Sequence, residues 1–311
     1  MVATTQLTLF DVYEYIPAIN PAPIPDRLCV GRFLHLGAGI QSSTMAEMIV
    51  EGDLTRVDAV LFADTGNEPP WVYEQVWYLA GRLASINIPL IVSMKSTQGI
   101  MLDSMLPGER FATMPLYTLD PKTGTIGKLR RQCTSEYKIE PTTGYTLDWL
   151  VKQEHAKRIT DKNGVVSRRV SRQVYIEEWF GISLDEFGRA GRNRGAKWQR
   201  AVYPLIERRM KRSDCIQWLK SHGLRVPRKS SCIICPFHDA DFWIDIADNY
   251  PAVFEMACTF DDWLRSPAAK TKIARKLKHD AYLHPSCKPL RERPFLKYQI
   301  APELCGDHCR T

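Results

Sequence analysis

Apolar residues along this chain follow two rhythms. Residues 32–36, 59–62 and 89–93 are short, nearly continuous apolar runs, while residues 43–51 and 71–85 return an apolar side chain every three or four positions. The first rhythm predicts buried strands and the second predicts helices with one face on a core. Their alternation predicts a parallel sheet. The fold class expected is a doubly wound α/β sheet with a helical, cysteine-containing C-terminal extension. Further along, residues 134–154 read as a helix, 158–170 as a basic hairpin turning at Asn163-Gly164, and 174–182 as another strand. Residues 203–206 read as a short strand, after which Ser213 caps a helix whose apolar face includes Ile216 and Leu219.

Two segments break both rhythms. Pro17, Pro21, Pro23 and Pro25 interrupt any regular element near the start, so residues 1–30 read as an extended arm. Residues 107–131 lose periodicity and collect Gly124, Gly127, Lys128, Arg130 and Arg131, which predicts a mobile substrate loop. The organisation expected is the arm, an α/β domain over residues 31–225 and the extension over 226–311.

At 311 residues with 44% hydrophobic and 25% charged content, the chain is long enough for one large domain and an appendage. It has no apolar run of about 18 residues and no basic-then-apolar leader, so neither membrane insertion nor secretion is expected, and the location expected is cytoplasmic. Nine cysteines in a reducing compartment are not expected to form a disulfide framework, and their spacing suggests metal or cluster ligands. The formal charge of +7 permits an anionic partner.

Candidate chemistry begins where the first strand ends. Gly37 and Gly39 are expected to take backbone angles that a Cβ would forbid, and Ser42, Ser43 and Thr44 supply hydroxyls. A helix starting there aims its first N–H groups at an anion, as a cradle for nucleotide phosphates does. A plain strand-to-helix turn would use the same residues. Asp64, Thr65 and Gly66 tilt the balance, because they end the next strand where open parallel sheets place ligand-binding residues. The turn has neither the Gly-Lys-Ser/Thr ending of a Walker loop nor Gly-x-Gly-x-x-Gly spacing.

Three segments in this order, residues 33–43 (FLHLGAGIQSS), 62–69 (FADTGNEP) and 132–141 (QCTSEYKIEP), together resemble the phosphoadenosine phosphosulfate (PAPS) reductase family, within the adenine-nucleotide alpha-hydrolases with a PP-loop. The resemblance implies a Rossmann-like sheet that binds ATP, adenylyl sulfate (APS) or PAPS, with Mg as a candidate companion. It implies nucleotide contacts at Gly37, Ala38, Gly39, Gln41, Ser42, Ser43, Asp64, Thr65, Gly66 and Lys138, with Asp64 also a catalytic candidate. Gln41 stands where the pyrophosphatase branch carries an acid, as in the reductase branch. A Gly-Ile-x-x-x-Glu-x-x-Arg segment bordering the nucleotide in that family carries over to Gly181, Ile182, Glu186 and Arg189.

Cys232 and Cys235 form a Cys-x-x-Cys pair whose spacing suits one metal centre. The resemblance to iron–sulfur adenylyl-sulfate reductases adds Cys133 as a third ligand. Three ligands would leave one iron of a 4Fe-4S cluster open, similar to the iron–sulfur tRNA thiolation enzymes of the same group. Zinc is the alternative, with Cys287, His284, Cys305 or Cys309 completing the set. Cys305 also lies in a tail similar to the Glu-Cys-Gly-x-His ending of the reductases, which makes it a catalytic nucleophile candidate drawing on a thioredoxin-like reductant.

Three functions are therefore expected in turn. The first is sulfur transfer to tRNA or DNA after adenylation, with phosphates held by Lys157, Arg158, Arg168, Arg169 and Arg172 and by Lys270, Lys272, Arg275, Lys276 and Lys278. The second is APS or PAPS reduction releasing sulfite. The third is nucleotide sensing or partner binding without chemistry.

Overall fold

The computed structural model describes residue 24 and residues 26–191, 195–273 and 279–296. Strands β1 (Leu28–Leu36), β2 (Ala59–Asp64) and β3 (Leu90–Met94) are joined by helices α1 (Ile40–Val50) and α2 (Pro70–Ala84). Helix α3 (Gly99–Met105) leads to a small hairpin of β4 (Tyr117–Leu119) and β5 (Ile126–Lys128). A π-helical turn over Ser135–Ile139 runs into α4 (Glu140–Lys152). The hairpin β6 (Ala156–Thr160) and β7 (Val166–Val170) precedes β8 (Val174–Phe180), and β9 (Gln199–Val202) follows. Helices α5 (Pro204–Glu207), α6 (Arg212–Ser221), α7 (Ala240–Asn249), α8 (Pro251–Trp263) and α9 (Pro267–Ile273) come next, then the short strand β10 (Ala281–Tyr282).

The main sheet has the order β3-β2-β1-β8-β9, with every neighbouring pair parallel. The chain winds outward from β1 through β2 and β3, then crosses back to set β8 against the other edge of β1. This is the doubly wound arrangement the sequence predicts, and the reversal between β1 and β8 opens a crevice at the carboxyl ends of the strands. The pleat divides the core. Leu34, Leu36, Val60 and Trp179 join a cluster that takes in Met45 of α1 and Leu79 of α2 and continues to Trp243 of α7 and Phe260 of α8. Phe33, Ala59, Leu61 and Ile176 pack on the opposite side against Leu150 and Trp149 of α4. Phe33 meets the Trp149 ring edge-on at 5.2 Å. A strand covered on both faces shows no alternation, which is why residues 32–36 read as a continuous apolar run.

Four local expectations are corrected. Residues 203–206 are not a strand, because the parallel pairing with β8 ends at Val202 and Pro204 opens a helical turn. Ser213 lies inside α6, whose N-cap is Lys211, and the Asp214 carboxylate accepts the Lys211 N–H at 2.8 Å. Residues 107–131 are not loop throughout, since β4 and β5 pair antiparallel and β10 joins them in a three-stranded sheet. The helix over 134–154 is two elements: Pro141 has no N–H to continue the ladder, and the turn before it widens to the π form.

Candidate functional site

The turn after β1 departs from its expected geometry in one instructive way. The left-handed backbone falls on Ala38, with φ +56°, while Gly39 has φ −89°. Gly39 is small for another reason: a Cβ there would stand 2.9 Å from Ser230 Oγ. Helix α1 starts at Ile40, earlier than the sequence predicts, so Gln41, Ser42 and Ser43 occupy its first turn. No side chain caps that end, and the first intrahelical bond runs from Ser43 N–H to Gly39 C=O at 3.0 Å. The amides of Ile40, Gln41 and Ser42 therefore have no acceptor within the helix. Ser42 Oγ accepts the Gly37 N–H at 3.1 Å, and the buried Ser43 Oγ has no partner among the described residues.

Gly181, just past β8, backs the turn directly. A Cβ on it would come within 2.7 Å of Ser42 N. Gln41 Nε2 donates to Ser183 Oγ at 3.3 Å and to Glu186 Oε2 at 3.1 Å, while Gln41 Oε1 accepts from Arg212 at 3.0 Å. Arg189 donates to Glu186 Oε1 at 2.8 Å. The structure thus brings Gln41, Gly181, Glu186 and Arg189 together, and adds Arg212, which no motif had singled out.

Asp64, Thr65 and Gly66 shape the neighbouring loop. Asp64 Oδ1 accepts the Gly66 N–H at 2.7 Å and the Tyr73 hydroxyl at 2.9 Å, and Thr65 Oγ1 donates to Glu68 at 2.9 Å. Gly66, with φ +72°, is pressed against Gly99, whose Cα would lie 2.5 Å from an added Cβ. This loop in turn carries the cysteine loop. Ile233 N–H donates to Asn67 C=O at 2.7 Å, and Trp71 Nε1 donates to Lys229 C=O at 3.1 Å.

Cys232 and Cys235 sit on that anchored loop, closed by a bond from Cys235 N–H to Cys232 C=O at 3.0 Å. Burial, then the charge of Glu68, raises the Cys232 thiol well above its ordinary range, and Lys138 opposes the rise. Cys133 packs against the same hydrophobic cluster as Cys232. Among the described residues, no group of three or more His, Cys, Asp or Glu side chains is arranged to hold a metal ion. Cys305 and Cys309 lie outside the described residues.

Of these pieces Gly37, Glu68, Lys138, Arg189 and Ser230 line a cavity of about 1550 Å³ at the carboxyl ends of β1, β2 and β8, larger than the roughly 300–1,000 Å³ usual for a single small ligand. Gly37 lies at its base and Ser230 and Phe237 border it from the cysteine loop. Lys128, Arg130, Arg131, Lys138, Arg168 and Arg189 line it against the carboxylates of Glu68, Glu140 and Glu178. The surplus of cations suits an anionic ligand. Lys128 Nζ stands 4.8 Å from the Phe237 ring centre. Arg168 reaches the cavity from the basic hairpin and also pairs with Asp148 at 2.8 Å. Of the second basic group, Lys270 pairs with Asp280 and Lys272 is tied to the Asp103 carbonyl, while residues 274–278 lie outside the described residues. His35, Glu178 and Gln199 also line the cavity. Sequence reading missed them because single polar residues inside strands carry no motif.

No family model and no curated protein matches the chain. Among solved structures, the chain is similar to phosphoadenylyl-sulfate (PAPS) reductase from Candida auris in a phosphate complex, at 11% identity and a TM-score of 0.37, over 72% of this chain and 92% of that one. It is also similar to the U34-tRNA thiolase NcsA from Methanococcus maripaludis with its 4Fe-4S cluster, at 11% identity and a TM-score of 0.37, over 81% of this chain and 77% of that one. At these TM-scores the reading of the site rests on the chain's own residues. Among the described residues, no helix is long and apolar enough to cross a membrane.

Proposed function

We propose that this chain is an enzyme of the PP-loop, PAPS-reductase-like kind that binds an adenine nucleotide in the cavity and uses it to activate a nucleic acid for sulfur transfer. The observation that carries the proposal is the cation-rich cavity at the winding reversal, with Gly37, the first residue of the Gly37–Ser43 turn, in its wall and Ser230 and Phe237, which flank the Cys232–Cys235 loop, lining it as well. The unsatisfied amides of α1 suit phosphates, and Arg189, held by Glu186, adds a positive charge beside them. Arg168 favours nucleic acid over a free small molecule as the acceptor, because it joins the cavity to the exposed basic hairpin.

In this reading a base oxygen of the acceptor attacks the α-phosphorus of ATP and pyrophosphate leaves. Hydrosulfide then adds at the activated carbon and displaces AMP, leaving a thiocarbonyl. The chain's own residues bind and orient the nucleotide, and no step here runs through a metal.

Calorimetry with ATP, APS and PAPS tests the nucleotide site. One of them is expected to bind, and Gly39→Val with Ser42→Ala is expected to abolish binding, since the new side chain meets Ser230. Retained binding in that double variant sinks the site assignment. Incubation with tRNA or DNA, ATP and sulfide is expected to yield thiolated nucleosides that disappear when Arg168, Arg169 and Arg172 are reversed in charge. Sulfite release from APS or PAPS, lost in Cys305→Ser, would instead establish the reductase.

Iron and zinc analysis after anaerobic purification is a separate measurement. A brown chromophore lost in each of Cys133→Ser, Cys232→Ser and Cys235→Ser, but kept in Cys258→Ser, is the outcome that would bring a 4Fe-4S cluster into the mechanism. Stoichiometric zinc in a colourless protein would replace it with a structural site.

A further inference from the structure

Glu178 is one of three carboxylates in a cavity wall that holds twice as many Lys and Arg side chains. It lies on β8, is only 4% exposed and lines the cavity. Both of its contacts fall on one oxygen: Gln199 Nε2 donates to Oε1 at 3.0 Å, and His35 Nε2 stands 3.4 Å from the same atom. Among the described residues, Oε2 has no hydrogen-bond donor. An open oxygen on a carboxylate that lines the cavity can accept a donor from a ligand, a charge-assisted bond.

The register sets the distance to the phosphate turn. Glu178 pairs with Phe33 across the β1–β8 ladder, four residues before Gly37. At the usual rise of a strand those four residues span about 13 Å. A nucleotide with its phosphates on the Gly37–Ser43 turn and its base laid back along β1 would bring that base toward Glu178. The flanking surface is aromatic: the His35 ring stacks on Phe180 at 4.7 Å with an interplanar angle of 16°, and Phe180 lies 6.1 Å from Tyr203.

Resting on the nucleotide reading above, we propose that Glu178 is the base-reading residue of this site and accepts the exocyclic amine of adenine at Oε2. One open oxygen matches one donor. Guanine presents two adjacent donors, N1–H and the N2 amine, and a carboxylate meets both only when both its oxygens are open, whereas Oε1 is already held by Gln199. A base carrying a carbonyl at the amine position sets oxygen against oxygen.

Calorimetry on the full chain with ATP, purine riboside triphosphate (which lacks the amine), ITP and GTP tests the proposal. The wild type is expected to bind ATP about ten- to a hundredfold more tightly than the analogue without the amine, the range of one hydrogen bond to a charged acceptor. In Glu178→Gln the amide nitrogen faces the ligand once its oxygen takes the Gln199 bond, so the preference for ATP is expected to vanish and ITP to gain. Binding of ITP by that variant also shows that it is folded. Equal wild-type affinity for ATP and purine riboside triphosphate, or a preference for GTP, overturns the assignment while the nucleotide site stands, and neither result depends on a variant. If the wild type binds none of these nor APS or PAPS, the nucleotide reading fails and this inference fails with it.

Discussion

Ala38 and Gly181 show how differently two small residues constrain the same turn. A left-handed backbone costs a residue with a Cβ about 1–2 kcal/mol. Glycine at position 38 would relieve that strain, but it would lose a buried methyl worth about 0.8 kcal/mol and add about 0.5–1 kcal/mol of chain entropy. These terms nearly cancel, so Ala38→Gly is expected to change stability by no more than about 1 kcal/mol. Gly181→Ala is different because its Cβ meets the backbone of Ser42, which cannot rotate away. It is expected to cost about 1–3 kcal/mol and to weaken nucleotide binding, since α1 must move. Urea unfolding and calorimetry on the two variants check the contrast, and equal effects would mean that Gly181 does not support the turn. Asp64 teaches a related lesson. Its place at the strand end was legible in the sequence, but its partners, the Gly66 amide and the Tyr73 hydroxyl, were not.

At the scale of elements, what was legible followed from burial. Strands β1, β2 and β8 are covered on both faces and announce themselves as apolar runs, and the β6–β7 hairpin was marked by its Asn163-Gly164 turn. The β4–β5 hairpin was illegible because each strand has three residues, too few for a period to register, and its third strand lies more than 150 positions away at Ala281–Tyr282. The closeness of the turn, the Asp64 loop and the cysteine loop was also beyond local pattern. It depends on Asn67 and Lys229 offering carbonyls to Ile233 and Trp71, and backbone acceptors leave no trace in side-chain identity. Motif order hinted at one site, but only the sheet order explains it, by setting β8 beside β1.

For the whole molecule, two buried histidines set the response to acid. Burial lowers His238 to about 3 and His284 to about 4, from an ordinary 6.5. The folded imidazoles stay neutral while those of the unfolded chain take up protons, so stability is full above about pH 6.5 and falls as pH drops toward 4. At about 1.4 kcal/mol per unit of displacement, the combined loss by pH 4 is on the order of 6 kcal/mol. The urea midpoint is expected to be flat above pH 7 and to fall through this window, with a shallower fall in His284→Gln. A midpoint unchanged between pH 7 and 4.5 would contradict it. The crossing from β3 back to β8 also has a consequence in time. Arg32 on β1 and its partner Glu177 on β8 are 145 positions apart. During synthesis at about 5–20 residues per second, the inner edge of β1 waits roughly 7–30 s for its neighbour. Closing so long a loop costs chain entropy before any contact returns it. The docking of β8 is therefore expected to be slower than that of β2 or β3. Gly181 arrives only with that strand, so the nascent chain has a phosphate turn with nothing behind it until the last central strand is home.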